Sequence, residues 1–311
     1  MSVIDFDKAL EYEKNGKYEE AAKIYSLAAE NGDEEAMLLL GDMFENGMLD
    51  TNHKKAESYY HDLALKNNFR AQLCCGSIDK NAFESVEKDA INDDLSAMFL
   101  LGLLLERGEN VGVKQNYTEA IKWYKKAAEA GNSRAMNNLG TMHGAGHGVE
   151  KDYIEAAKWY KKAAEAGDST AMHYLGVMSY EGIGVEKDYT EAIKWYKKSA
   201  EAGNSRAMNN LGLMYDNGHG VEQDYTEAAK WYKKGAEAGN SRAMNNLGVM
   251  YYNGHGVEQD YTEAARWYKK GAEAGNSTAM NNLGLMYENG LGVEKNIKEA
   301  EKWYNKAKSE C

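Results

Sequence analysis

The chain has 311 residues, 28% of them charged, with a formal net charge of −12, no proline and three cysteines. The acidic balance excludes a nucleic-acid backbone as partner, because binding phosphates needs a basic surface. No apolar run approaches the roughly 18–20 residues that span a bilayer, and Cys74, Cys75 and Cys311 cannot build a disulfide framework, so no membrane insertion and a reducing, intracellular, cytoplasmic setting are expected.

The opening residues, MSVIDFDKALEYEKNG, are acidic and polar and carry no secretory signal. Asp5 to Lys14 reads as a helix broken at Gly16, and Tyr18 to Glu30 as its partner. Glu34 to Phe44 and Lys54 to Leu65 read as a second pair. Another unit starts at Ala71 to Gly76, but its successor at Ala97 arrives early, so this stretch is expected to be truncated and irregular. Residues 1–96 hold 21 Asp and Glu against 10 Lys and Arg, and so carry nearly all of the net charge. They form a divergent, acidic set of helix pairs.

From Ala97 onward a fixed period takes over. Trp123, Trp159, Trp195, Trp231, Trp267 and Trp303 recur every 36 residues. An Ala-Met pair does the same at Ala135, Ala171, Ala207, Ala243 and Ala279. Self-similarity at such a period marks a repeat architecture. The six units lie at about 97–134, 135–170, 171–206, 207–242, 243–278 and 279–311.

Within one unit, Ala243, Leu247, Met250 and Tyr251 fall on one helical face, and Gly248 turns inward to let a second helix approach. The glycines of NGHGVEQ break the pattern. Asp260 with Glu263 then opens a second helix as a capping box, repeated at Asp152/Glu155, Asp188/Glu191 and Asp224/Glu227. Ala264, Trp267, Tyr268 and Gly271 share its apolar face, and Gly275 ends it in a left-handed conformation. Tyr232 belongs to the core and Trp231 packs between units. Gly235 and Gly271 share a place with Ala163 and Ser199, so a small residue is required there. One helix pair cannot bury its own apolar face, so the units must stack. No capping helix follows Lys308, so the last helix should expose a flank and fray or be covered.

The motifs A-M-N-N-L-G-x-M-Y, G-x-G-V, D-Y-x-E-A, K-W-Y-x-K and A-G-N, spread from about Ala97 to Lys308, resemble the Sel-1-like repeat of the tetratricopeptide superfamily. The resemblance implies an all-α, right-handed α-α superhelix of helix-turn-helix repeats, and a scaffold or adaptor whose concave face grips a protein partner. Cysteine-rich members of that family bind or hydrolyse β-lactams and carry a disulfide in each repeat. This chain has none of that pattern, so no catalysis and no cofactor are expected.

The partner-binding candidates lie on the first helix opposite its core face. They are Arg134 and Asn137; His173 and Tyr180; Arg206, Asn209 and Asp216; Arg242, Asn245 and Tyr252; and Asn281 and Glu288. Val249, Leu213 and Leu285 lie among them. Asparagine both donates and accepts, so a row of it suits an extended peptide backbone, and arginine suits carboxylates. The second asparagines, Asn138, Asn210, Asn246 and Asn282, are expected to face the neighbouring helix. The bland alternative is that duplicated units carry the same surface whether or not it is used. His147, His219 and His255 recur once per unit in Gly-His-Gly loops and cannot converge on a metal, which needs three or four ligands at about 2.0–2.3 Å. The methionine stripes read as core filler. A protein or peptide partner is expected, with self-association through the C-terminal end as a further possibility.

Overall fold

The structure, a computed structural model, describes residues 18–30, 80–108 and 113–309, together with Ala9 and Tyr12. The helices expected at 34–44 and 54–65, and the start at 71–76, lie outside the described residues. Among the described residues there are fourteen helices and no strand. They are α1 (Tyr18–Glu30), α2 (Lys80–Ile91), α3 (Leu95–Arg107), α4 (Tyr117–Glu129), α5 (Ser133–Ala145), α6 (Tyr153–Glu165), α7 (Ser169–Glu181), α8 (Tyr189–Glu201), α9 (Ser205–Asn217), α10 (Tyr225–Glu237), α11 (Ser241–Asn253), α12 (Tyr261–Glu273), α13 (Ser277–Asn289) and α14 (Ile297–Ser309). The odd-numbered helices from α3 on are the first helices of the repeats. Helix α2, in the stretch read as truncated, places Val86 and Ala90 in the core beside Leu101 and Leu104.

The chain divides into two compact units, Met1–Met178 with Gly182–Glu186, and Ser179–Glu181 with Lys187–Cys311. In the first, α2 packs on α3, α3 on α4, α4 on α5 and α5 on α6. In the second, α8 to α14 pack in the same succession, and α11 also touches α9 and α13. The first helices of neighbouring repeats are therefore in contact.

The packing follows from three small residues per repeat. Leu247 and Met250 fill the core of one repeat, as Leu139 and Met142 do in another. A Cβ added at Gly248 would stand 2.6 Å from the Tyr268 ring, and Gly102, Gly140, Gly212 and Gly284 meet their own repeat's tyrosine in the same way. A Cβ at Gly271 would meet the Ala279 methyl at 3.0 Å, and one at Gly235 the Ala243 methyl at 3.0 Å. Those two positions set the approach of one repeat to the next, which is why Ala163 and Ser199 fit there, fully buried. Trp267 packs against Ala228, Ala229 and Tyr232 of the preceding repeat, and Trp303 against Ala264 and Ala265. Their indole N–H groups have no acceptor, so these rings contribute area rather than hydrogen bonds. Lys234, Lys270 and their equivalents lay their ammonium groups over the tryptophan of the same helix, at 4.2 and 4.5 Å.

The caps correct one expectation. Asp260 accepts from the N–H groups of Thr262 and Glu263 as an N-cap should. Glu263 does not reach back to close a capping box; it pairs with Arg266 at 2.9 Å. The N–H of Asp260 is already taken, since it donates to the Tyr251 carbonyl at the end of the preceding helix. The same substitution of partners occurs at Asp152, where Glu155 pairs with Lys158 and the N–H donates to the His143 carbonyl.

One cap differs chemically from its neighbours. Asp168 caps α7 through a 2.8 Å bond from the Ala171 N–H, where Asn132, Asn204, Asn240 and Asn276 cap α5, α9, α11 and α13; Asp94 at the start of α3 is the other aspartate among the first-helix caps. Burial holds the Asp168 carboxyl above the usual carboxylate range, against the opposing pull of the Ala171 and Thr170 N–H groups and the Arg134 charge. A raised folded-state value means that the folded chain binds this proton more tightly than the unfolded one. The resulting penalty is absent below the usual carboxylate range and grows as pH rises through the folded value. Asp168→Asn is therefore expected to raise the urea midpoint at neutral pH and to leave it unchanged below about pH 3. Equal midpoints at neutral pH would show that the charge carries no penalty.

Candidate functional site

The first helix of each repeat carries the candidates, and its two ends are built the same way each time. An asparagine or aspartate cap starts it, and a glycine at positive φ stops it, Gly254 closing α11 with its N–H on the Met250 carbonyl. The exposed side then follows from helical geometry. Relative to Arg206, position i+7 falls about 20° to one side, i+11 about 20° to the other, and i+3 about 60° away.

That angle decides the fate of the asparagines. Asn209 and Asn245 are only 5% and 9% exposed. Asn246 donates through Nδ2 to the Asn209 Oδ1 at 3.0 Å, and Asn282 to the Asn245 Oδ1 at 2.9 Å, each bond joining neighbouring repeats. Within a repeat, the Asn245 Nδ2 lies 3.3 Å from the Asn246 Oδ1. The paired asparagines are a ladder that holds one repeat to the next. Asn246 and Asn282 do face the neighbouring repeat, as their spacing implies; Asn209 and Asn245 are not an open donor–acceptor row, because the adjacent repeat covers them. Asn281, which has no following repeat among the described residues, is exposed. In the first unit the ladder is interrupted: Tyr174 stands where Asn210, Asn246 and Asn282 stand elsewhere and stacks on Tyr160. The Asn137 Oδ1 is accordingly buried with no donor.

The other candidates divide into engaged and open groups. His173 is buried, with its ring tilted against Tyr174. Asp216 accepts from the Tyr232 hydroxyl at 3.1 Å and Glu288 from the Tyr304 hydroxyl at 2.8 Å. Burial and the adjacent carboxylate both push these phenols up, Tyr304 to about 12, so both hydroxyls keep the proton they donate. Tyr180 sits 3.0 Å from the His219 Nδ1 and against the Tyr189 ring. Tyr252 packs edge-on to Tyr261 and is exposed. Arg134, Arg206 and Arg242 are exposed. Arg134 lies near enough to lower the Asp168 carboxyl. The corresponding caps near Arg206 and Arg242 are the uncharged Asn240 and Asn276.

Two sets of residues complete the surface. Leu213 and Leu285 are 38% and 49% exposed, with Val249 half-buried between them. Asn217, Asn253 and Asn289, absent from the candidates above, are exposed one turn further on. Asn217 and Asn289 each donate Nδ2 to the Leu213 and Leu285 carbonyls at 2.9 Å. Each first helix of the second unit thus offers a strip: Arg206, Leu213 and Asn217; Arg242, Val249 and Asn253; Thr278, Leu285 and Asn289. The sequence held a partial signal for the missed asparagines, since i+7 and i+11 lie within about 20° of the arginine and i+3 about 60° away.

The Gly-His-Gly loops are structural. His147 stacks on Tyr117 at 4.8 Å, His219 on Tyr189 at 4.9 Å and His255 on Tyr225 at 4.7 Å. Each ring rests on the tyrosine that opens the second helix of the preceding repeat.

At the far end, Glu301 and Lys308 occupy the places of Ala265 and Ala272, which are buried in the inner repeat and pack in one cluster with Trp303. A further repeat seated there would meet two charges instead of two methyl groups. Among the described residues, no helix is long and apolar enough to cross a membrane.

The six helix pairs from Leu95 onward match the Sel1 repeat model unit by unit, over residues 95–132, 133–168, 169–204, 205–240, 241–276 and 277–310. The chain belongs to the Sel1 repeat family. A tetratricopeptide repeat model matches residues 6–65. Among solved structures, a Sel1 repeat protein from Oxalobacter formigenes is 36% identical, covers 81% of this chain and 96% of its own, and superposes with a TM-score of 0.65. The protective antigen c5321 of uropathogenic Escherichia coli is 31% identical over 93% of this chain and 64% of its own, with a TM-score of 0.64. The chitin synthase regulator SKT5 of Saccharomyces cerevisiae is 32% identical over 138 residues, 40% of this chain but only 20% of that protein. Sel1 repeat proteins are generally non-catalytic scaffolds for protein interaction, and the all-α helical repeat fold is shared.

Proposed function

We propose that this Sel1 repeat protein is a non-catalytic, cytoplasmic interaction scaffold that binds an extended segment of a protein partner across the first helices of residues 205–289. The observation that carries the reading is the strip itself. One cation or hydroxyl, one aliphatic side chain and one asparagine recur per repeat on a face that no element of the second unit covers, with Asp216, Tyr252 and Glu288 along its edge. Five exposed lysines of the second helices, Lys122, Lys158, Lys194, Lys230 and Lys302, pair with glutamates of their own helices, while Lys125, Lys161 and Lys197 form no ion pair among the described residues. Among the described residues Arg206 and Arg242 have no ion-pair partner.

A crosslinked capture from host cells tests this, comparing the native chain with the variant Arg206→Glu/Leu213→Asp/Arg242→Glu/Leu285→Asp after circular dichroism has shown it folded. Captured protein is expected to fall at least about tenfold, the loss produced by removing one strong anchor. Undiminished capture by the folded variant would move the site off this face.

A further inference from the structure

We infer that the segment this strip takes is a polyproline-II stretch with an aliphatic residue at every third position and acidic residues between them; the inference rests on the interaction-scaffold reading and specifies its partner. The asparagine bonds across neighbouring first helices place those helices at direct packing distance, about 8–10 Å apart. Leu213, Val249 and Leu285, one per repeat, therefore form an apolar row with a spacing of that size.

Three backbone geometries can be tried against it. A polyproline-II chain rises about 3.1 Å per residue with three residues per turn, so every third side chain returns to one face after about 9.3 Å. A β-strand returns a side chain to one face after about 6.6–6.8 Å and drifts out of step within two repeats. An amphipathic helix presents three to four apolar residues per two turns, over about 10.8 Å, whereas the strip supplies one. The first geometry alone matches both the spacing and the number of aliphatic groups.

The flanking rows fit the same occupant. Polyproline II has no internal hydrogen bonds, so its N–H groups need external acceptors. Asn217 and Asn289 bond through Nδ2 to their own helices, which leaves their Oδ1 atoms to accept. On the other flank, Arg206 and Arg242 are the second residues of α9 and α11. A cation in the first turn is opposed by the helix dipole, and a carboxylate on the bound segment relieves that while forming a bidentate pair.

The test uses two blocked, fluorescein-labelled peptides of one composition and the full chain. The first is Leu-Pro-Glu-Leu-Pro-Glu-Leu, with leucines three apart. The second is Leu-Glu-Leu-Glu-Leu-Pro-Pro, with leucines two apart. Fluorescence anisotropy is expected to show saturable binding of the first, at least tenfold weaker binding of the second, a tenfold loss for Leu213→Asp/Leu285→Asp, and weakening of the first complex with salt. Equal affinity for the two peptides, no saturable binding of the first, or an unaffected variant would overturn the inference. If the first peptide fails while cellular capture still depends on the same face, the period-three segment is wrong and the scaffold reading stands. If capture is also indifferent to that face, both fall.

Discussion

Gly256→Ala is expected to lower stability by roughly 2–5 kcal/mol, the sum of forcing an L-residue into a left-handed conformation and overpacking a tight contact. Gly256 has φ +70°, and an added Cβ would run into the Tyr225 carbonyl oxygen of the preceding repeat. That contact is backbone, so no side-chain rotation relieves it. The clash falls between neighbours, and a repeat array is held together by nearest-neighbour interfaces. Urea unfolding followed by circular dichroism should show a lower midpoint and a broader transition, as the repeats on either side lose cooperativity. Gly254→Asn is the control. Gly254 also has positive φ, +71°, but an added Cβ would lie no nearer than 3.2 Å to any neighbour, the Gln259 side chain, and asparagine tolerates the left-handed region. A midpoint for Gly256→Ala equal to that of the native chain would mean that the loop moves freely away from Tyr225.

The asparagine ladder gives the second large effect. Asn245→Ala removes the acceptor of Asn282 and the donor to Asn246 together. Leaving such groups unpaired costs roughly 1–3 kcal/mol. Asn137→Ala should cost less than about 1 kcal/mol on the same scale, because its Oδ1 has no donor to lose. The two variants remove the same atoms from equivalent places in two repeats, so the difference between their urea midpoints reports the inter-repeat bond together with the Asn245–Asn246 contact. A double-mutant cycle between Asn245 and Asn282 should show a coupling of about 0.5–3 kcal/mol. Equal losses for Asn137→Ala and Asn245→Ala, with no coupling, would remove the ladder from the account of stability.

These two cases also show where the sequence was readable. The period of the tryptophans and the Ala-Met pairs identified the helix pairs, because a 36-residue recurrence of apolar side chains leaves few ways to bury them. Gly248 was legible as a close approach, and Tyr268 supplies the ring it approaches. The asparagines were less legible. A helix face has no sharp edge, and Asn245 sits on the border between the open side and the side turned to the next repeat. Asp260 and Glu263 illustrate the same difficulty at the caps. Their spacing fits a capping box, but the Tyr251 carbonyl from the preceding helix takes the N–H that the glutamate would have received.

The sequence by itself determined the repeat unit, its two helices, their caps and terminators, and the small residues at which they meet. All of these are local, or recur at a spacing that a single chain displays. Only the tertiary structure decided which polar residues face another repeat and which face outward. Asn209 and Asn217 are the same residue type on one helix, yet one is covered by Asn246 and the other is open. The difference lies in a rotation of about 80° around the helix axis, set by how the next repeat packs. It moves the proposed binding surface from the paired asparagines to the row of Arg206, Leu213 and Asn217.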